Sequence, residues 1–241
     1  MPRLRCEVEP LASADARLAR GRAPAVAVMV KVPGATPVKS RLHPALTPDR
    51  ATELYRCFLL DRLDALAKVP DIEPVVAFTP ADAAHELAAL VPTGFRCIAQ
   101  RGPDLGARLE TVLASLLADG HRGAIAIDSD SPTLPMGYVA EAARVLGSGS
   151  ADVVVGPCDD GGYYLVGLAA PRPTLFERIP WSTSDVLPLT LKRAEDLRLS
   201  LHLLPPWFDV DTEADLRRLH AEMGSDGGPP RTLAFVRQLF G

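Results

Sequence analysis

Lys31 and Lys39 stand eight residues apart in KVPGATPVKSR, in a chain of 241 residues whose 26 basic residues include only four lysines. The other two are Lys68 and Lys192. A Pro/Gly loop of this kind offers backbone N–H groups around Gly34, and cations at Lys39 and Arg41, to a di- or triphosphate. It is neither the GxxxxGK[ST] phosphate loop nor the GxGxxG dinucleotide loop. The plain alternative is a solvated basic loop.

Acids supply the complementary chemistry. IDSDSPTLP carries Asp128 and Asp130. On an extended strand end, residues two apart point to one side, so the pair is read as facing a shared ligand. Two carboxylates suit Mg²⁺ or Mn²⁺, which keeps several waters and also takes phosphate oxygens; otherwise they belong to a capped turn before Pro132 and Pro135. A second pair, Asp209 and Asp211, extends the same reading, although Asp211 or Thr212 would equally cap the helix that follows. CDDGGY brings Asp159, Asp160, Gly161 and Gly162 into a turn. Its glycines allow positive φ and close approach of a ligand, or simply make a tight hairpin. RGPDLGAR holds Asp104 and Gly106 before a leucine-periodic stretch, and in WSTS Trp181 offers a stacking wall while Ser182 and its neighbours offer hydroxyls or helix caps.

These residues need a frame, and the apolar pattern supplies one. Continuous β-type runs at Ala25–Lys31, Pro74–Thr79, Phe95–Gln100, Gly123–Asp128 and Ala151–Gly156 alternate with helical periods at Asp49–Val69, Ala81–Leu90, Asp104–Ala118 and Pro135–Leu146. That rhythm implies a mostly parallel sheet with helices on both faces. Tyr163–Leu168 follows the fifth strand too closely for a crossover helix, so it is expected to be antiparallel or at an edge. A helix over Ser184–Leu197, a short strand over Leu201–Leu204, a helix over Asp211–Met223 and a terminal helix over Thr232–Phe240 complete the chain. Open α/β sheets bind ligands at the carboxyl ends of their strands. Here every strand but the second ends in charge or glycine.

Composition narrows the class. A hydrophobic fraction of 47% and a length of 241 residues support one large domain. We expect an extension over 1–22, the main domain over 23–223, and a linker with a C-terminal helix over 224–241. A net charge of −4 argues against a general nucleic-acid binder. Cys6, Cys57, Cys97 and Cys158 are widely spaced without a CxxC pair and read as buried or incidental thiols, Cys158 being notable for its acidic neighbours. The five histidines show no ligand spacing. The N-terminus lacks the apolar run of a signal peptide, and no stretch approaches a membrane span, so a soluble, cytoplasmic protein is expected. The oligomeric state, a homo-oligomer included, is left open.

KVPGATPVKSRL, IDSDSPTLP, GPCDDGGYYLVGL, WSTSDVL and DVDTEADL resemble, in that order, a bacterial family of glycosyltransferase-A-like proteins. The likeness covers about residues 25–220. The first segment, with LTPDR and LLDRLDAL, is also similar to 2-phospholactate guanylyltransferases. The resemblance implies a Rossmann-like, three-layer α/β/α fold of the nucleotide-diphospho-sugar transferase (GT-A) type, mostly parallel with an antiparallel strand. It also implies that Lys39 and Arg41 hold nucleotide phosphates, that Asp130 and Asp211 bind the metal, that Arg101–Arg108 lies on the nucleotide side, and that Asp160, Gly161 and Gly162 lie on the acceptor side. Ser40 stands where threonine is usual, and Asp128 where a small residue is more common.

The leading expectation is a metal-dependent transferase with Mg²⁺ or Mn²⁺, a nucleotide donor and a small-molecule acceptor. If the donor is a nucleotide sugar, an acceptor hydroxyl attacks the sugar carbon, and Asp159 or Asp160 is the candidate base. If it is a nucleoside triphosphate, an acceptor phosphate attacks the α-phosphorus and pyrophosphate leaves beside Lys39 and Arg41. A non-catalytic nucleotide-binding regulator is the reading from another class.

Overall fold

The computed structural model describes residues 21–43, 45–222 and 228–241. Residues 1–20 of the expected extension and 223–227 around the expected linker lie outside them, as does Cys6.

Seven strands make one sheet: β1 (Ala25–Lys31), β2 (Glu73–Thr79), β3 (Arg96–Ala99), β4 (Ala124–Ile127), β5 (Val153–Pro157), β6 (Tyr163–Leu168) and β7 (Leu201–Leu203). Their order is β3-β2-β1-β4-β6-β5-β7. The first four pair in parallel, β6 runs antiparallel to both β4 and β5, and β7 is parallel to β5. The helices are α1 (Pro48–Leu66), α2 (Ala84–Ala88), α3 (Leu105–Ala118), α4 (Met136–Gly147), α5 (Val186–Asp196), α6 (Glu213–Glu222) and α7 (Pro230–Phe240).

β1 is apolar up to its exposed last residue, Lys31, because both its faces are covered. Val26, Val28 and Val30 pack in one layer with Leu59 and Leu63 of α1 and Val139 of α4. Ala25 and Ala27 pack in the other with Leu109, Val112 and Leu113 of α3. The sheet is therefore the middle of three layers. Thr47 starts α1 by accepting the Arg50 N–H at 3.3 Å, with Pro48 in the first turn where a missing N–H costs nothing.

Tyr163–Leu168 takes the first of its two expected roles: it is antiparallel, and it sits inside the sheet, between β4 and β5. Its run YYLVGL is buried nearly throughout, which suits a central strand covered on both faces. The edge role falls to β7, where Leu201 and Leu203 are exposed. The expected helix over Ala81–Leu90 is a 3-10 turn (Ala81–Ala83) followed by the short α2.

A third apolar cluster positions the site. Leu54 and Phe58 of α1 pack with Leu42, Phe208, Val210, Leu216 of α6 and Phe235 of α7. Buried Asp61 of α1 accepts the Thr232 N–H at 2.8 Å and so ties down the start of α7. The cluster fixes the segment after β1 against the segment before α6, although far-separated stretches of chain supply them. The chain builds β2 and β3 to one side of β1 and then places β4 on the other. That reversal opens a crevice at the carboxyl ends of β1 and β4, where open α/β sheets take ligands.

Candidate active site

A cleft of about 530 Å³ occupies that crevice. Lys31, Lys39, Arg41, Asp128, Asp130 and Asp211 all line it, and Ser182 closes one wall. The structure thus gathers the basic loop, the first acidic pair and the late aspartate in one place.

Lys39 is its centre. The residue adopts left-handed backbone (φ 51°, ψ 38°), which costs a non-glycine residue roughly 1–2 kcal/mol. Its side chain is only 2% exposed, and Nζ lies 2.5 Å from Asp130 Oδ1 and 2.9 Å from Asp211 Oδ1. The same ammonium stands 5.6 Å from the centre of the Phe58 ring. Burial opposes the charged form, but the two carboxylates more than offset it and hold the Lys39 pKa above the ordinary lysine value. Burial likewise opposes a charged Asp211, and Lys39 with Arg41 reverses the balance, keeping that carboxyl below its usual range. Arg41 reaches Asp211 Oδ2 at 3.2 Å while its side chain stays 61% exposed. It is the exposed cation of the pair and Lys39 the buried one.

Asp128 and Asp130 do not share a side. β4 ends at Ile127, so strand alternation no longer governs them. Asp130 turns to Lys39, whereas Asp128 accepts from Ser131 Oγ at 2.5 Å and lies 3.8 Å from Arg62. Arg62 is wholly buried and also donates to the Ser131 carbonyl. Burial, opposed by Arg62, pushes the Asp128 carboxyl up to about 6. Its Oδ1 is buried yet accepts no hydrogen bond among the described residues.

Three hydroxyl contacts lock the strand ends together. Ser129 Oγ donates to the Met29 carbonyl at 2.9 Å. With its one hydrogen used there, it accepts from Tyr55 Oη at 2.9 Å, and Tyr55 Oη accepts the Lys31 N–H at 3.2 Å. α1, β1 and the turn after β4 are therefore tied to one another.

Other candidate residues sit elsewhere. Gly34 (φ +89°) borders a separate hollow of about 320 Å³ with Thr36 and Pro48. Asp104 caps α3 by accepting the Ala107 N–H at 2.8 Å. Gly106 lies under Trp181: a Cβ there would fall 2.7 Å from the indole. Trp181 itself meets Tyr163 edge-on at 6.3 Å, so it packs on the start of α3. Asp159 pairs with Arg218 of α6 at 2.7 Å, and Arg218 stacks 3.9 Å over Phe208. Asp160 Oδ1 accepts the Gly162 N–H at 2.8 Å and so shapes its own turn. Gly161 (φ +90°) lets that turn meet Ser184, whose carbonyl oxygen a Cβ would approach to 2.5 Å.

A second donor group adjoins the first. Cys158, Asp160 and Asp209 each offer a ligand atom, all within 4.8 Å of one another. Burial, with Asp211 and Asp160 adding to it, raises the Asp209 carboxyl to about 7. Burial also pushes the Cys158 thiol up, so it is not a thiolate near neutrality.

Sequence reasoning missed Tyr55, Arg62, Gln100 and Ser129. A signal existed for two of them: Tyr55 and Arg62 fall on the buried face of α1, at helical spacing with Phe58, Leu59 and Leu66. A charged residue on that face needs a buried partner. Nothing in the local pattern around Gln100 or Ser129 marks them.

The fold and site define a class. A Desulfovibrio desulfuricans G20 protein provisionally named a nucleotide-diphospho-sugar transferase is 31% identical to the chain, with a TM-score of 0.81 over 90% of this chain and 98% of that one. The fold is that of the nucleotide-diphospho-sugar transferases. The chain belongs to the family described as uncharacterised proteins conserved in bacteria (DUF2064), whose model matches residues 62–183. The CMP:2-keto-3-deoxy-manno-octonic acid synthetase, solved with CTP, shares the fold at 12% identity and a TM-score of 0.54, over 82% of this chain and 97% of that one. So does the 4-diphosphocytidyl-2C-methyl-D-erythritol synthase of Anaerococcus prevotii, at 9% and 0.53, over 88% and 96%. No curated protein matches the chain. No helix among the described residues is long and apolar enough to cross a membrane.

Proposed function

We propose that this chain is a metal-dependent transferase that takes its donor as an activated nucleotide, with a nucleotide sugar as the leading donor. The observation that carries the proposal is the meeting of Lys39, Asp130 and Asp211 at the carboxyl ends of β1 and β4. The similarity to the 31% identical nucleotide-diphospho-sugar transferase supports the donor class.

The residues fit a divalent cation. Two hard carboxylate donors already converge on one positive centre, the Lys39 ammonium. Asp130 and Asp211 would hold Mg²⁺ or Mn²⁺. Bound there, the ion supplies neutralisation of phosphate charge as the leaving group departs. Lys39 and Arg41 bind and orient the phosphates, one from a buried position and one from an exposed one. On this reading Asp160 lies on the acceptor side and is the candidate to take the proton of an acceptor hydroxyl.

Nucleotidyl transfer is the second reading, favoured by a specific feature: two cations on the loop after β1 suit a departing pyrophosphate. A thermal-shift panel of nucleoside triphosphates and nucleotide sugars, with and without Mg²⁺, separates the two. Stabilisation by nucleotide sugars supports the leading reading, and stabilisation by triphosphates alone rejects it. Product analysis with the best ligand then separates an enzyme from a non-catalytic binder.

A further inference from the structure

Past the end of β5, backbone hydrogen bonds bring two carboxylates to a buried thiol. Cys158 is the first residue after β5, and the segment before α6 runs alongside it. The Trp207 N–H donates to the Pro157 carbonyl at 2.9 Å, and the Asp159 N–H to the Trp207 carbonyl at 3.0 Å. Two residues on, the Val210 N–H donates to the Asp130 carbonyl at 3.0 Å, so the backbone around Asp209 is held from both sides. The Cys158 N–H donates to the Gly162 carbonyl at 3.0 Å and closes the turn that carries Asp160.

The side chains of this cluster are not used up by the fold. Cys158 is only 8% exposed, yet its Sγ makes no hydrogen bond among the described residues. A thiol this deeply buried ordinarily packs as a small apolar group. This one points instead between two acids, its Sγ within 4.8 Å of a carboxylate oxygen of Asp160 and of one of Asp209. Asp209 accepts no hydrogen bond and forms no ion pair among the described residues. Asp160 gives one oxygen to the Gly162 N–H at 2.8 Å and keeps the other.

We infer that Cys158, Asp160 and Asp209 form a second cation site, built for a thiophilic divalent ion of the Zn²⁺ or Cd²⁺ kind rather than for Mg²⁺. A thiolate ligand selects such ions, whereas Mg²⁺ takes oxygen donors alone. Donor atoms around a tetrahedral Zn²⁺ stand about 3.5 Å apart, and the exposed Asp160 side chain can supply the small closure needed. Three protein ligands leave the fourth place to water. Burial and the surrounding aspartates keep the thiol protonated, and a divalent charge reverses that balance. The proton leaves to solvent as the sulfur–metal bond forms. The site stands independently of the donor reading. Where that reading holds, an ion bound here ties up Asp160, the candidate base, and so opposes the reaction.

Cd²⁺ is the probe, because a cadmium–thiolate bond absorbs in the ultraviolet by charge transfer. Titrated into the full chain in excess Mg²⁺, it is expected to give a saturable band, which Cys158→Ser removes. Asp209→Asn keeps the thiol and is expected to weaken Cd²⁺ binding about tenfold or more. Asp130→Ala is expected to retain the band. Absence of a saturable band in the wild type overturns the inference without recourse to any variant. A band that persists in Cys158→Ser belongs to another cysteine and also overturns it. Unchanged affinity in Asp209→Asn leaves a lone thiol in place of a shared site and overturns it as well. Loss of the band in Asp130→Ala merges these donors with the Asp130–Asp211 site, and the second site falls. None of these readouts involves a nucleotide, so the donor reading stands or fails separately.

Discussion

Lys39 and Asp211 meet 2.9 Å apart although 172 residues separate them. The pair joins the loop after β1 to the segment before α6, and Asp130 enters it from the end of β4. A lysine so placed balances the carboxylates that a divalent cation would also seek. Lys39→Ala leaves Asp130 and Asp211 facing each other with only the exposed Arg41 against Asp211. Both acids are partly exposed, so the expected loss is moderate, about 2 kcal/mol, or on the order of 5 °C in melting temperature. Mg²⁺ or Mn²⁺ should then stabilise the variant more than it does the wild type. An equal metal effect on both proteins would show that lysine and metal do not share these carboxylates.

Arg62, wholly buried, pairs at 3.8 Å with Asp128, which lines the cleft. Arg62→Met strands the Asp128 carboxylate and is expected to cost about 3 kcal/mol by denaturant titration. Adding Asp128→Asn removes the stranded charge, so the double variant should lose about 2 kcal/mol less than the singles combined. Strict additivity would separate the two residues energetically.

The extent to which the site was readable follows from how local each constraint is. β1 is found where its apolar run places it, because a strand covered on both faces needs apolar residues on each, and only its exposed end, Lys31, departs from that. Lys39, Asp130 and Asp211 were legible for the opposite reason: charge at strand ends has few structural uses. The partners of those charges were not legible. Arg62 and Asp128 meet through tertiary packing, and Asp104, Gly106 and Asp159 proved to cap, underlie or brace neighbouring elements. A residue that shapes a turn and one that touches a ligand look alike in sequence, as Asp160 shows. β6 was legible as antiparallel, because a short loop limits a strand's direction; its place between β4 and β5 was not, because loop length says nothing of position.

Two loop glycines should behave differently. Gly34 and Gly161 both have positive φ, near +89° and +90°, but a Cβ meets nothing within 4 Å at Gly34 and the Ser184 backbone at 2.5 Å at Gly161. Gly34→Ala is expected to cost about 1 kcal/mol, the conformational penalty alone. Gly161→Ala adds a backbone clash and should cost about 3 kcal/mol. Equal losses in denaturant titration would contradict this difference.

Asp209 supplies a pH dependence. Its carboxyl stands at about 7 in the fold against 3.8 in an unstructured chain, raised by burial and by Asp211, Asp160 and Asp128, with Lys39 opposing. The fold thus binds this proton more tightly than the unfolded chain does. Stability from this group is fully present below pH 3.8 and is lost as pH rises through about 7. Without added metal, the melting temperature of Asp209→Asn should therefore decline less between acidic and neutral pH than that of the wild type. A decline of the same steepness would remove Asp209 as the cause.

The central claim is that Asp130, Asp211 and Lys39 together form a metal–phosphate site. Calorimetric titration of the best-binding nucleotide, with Mg²⁺ and with a chelator, into wild type and Asp130→Ala tests it most directly. The account predicts that Mg²⁺ tightens binding to the wild type by at least about tenfold, and that Asp130→Ala abolishes this dependence. Nucleotide binding to the wild type that is indifferent to Mg²⁺, or a Mg²⁺ effect that survives undiminished in Asp130→Ala, would contradict it.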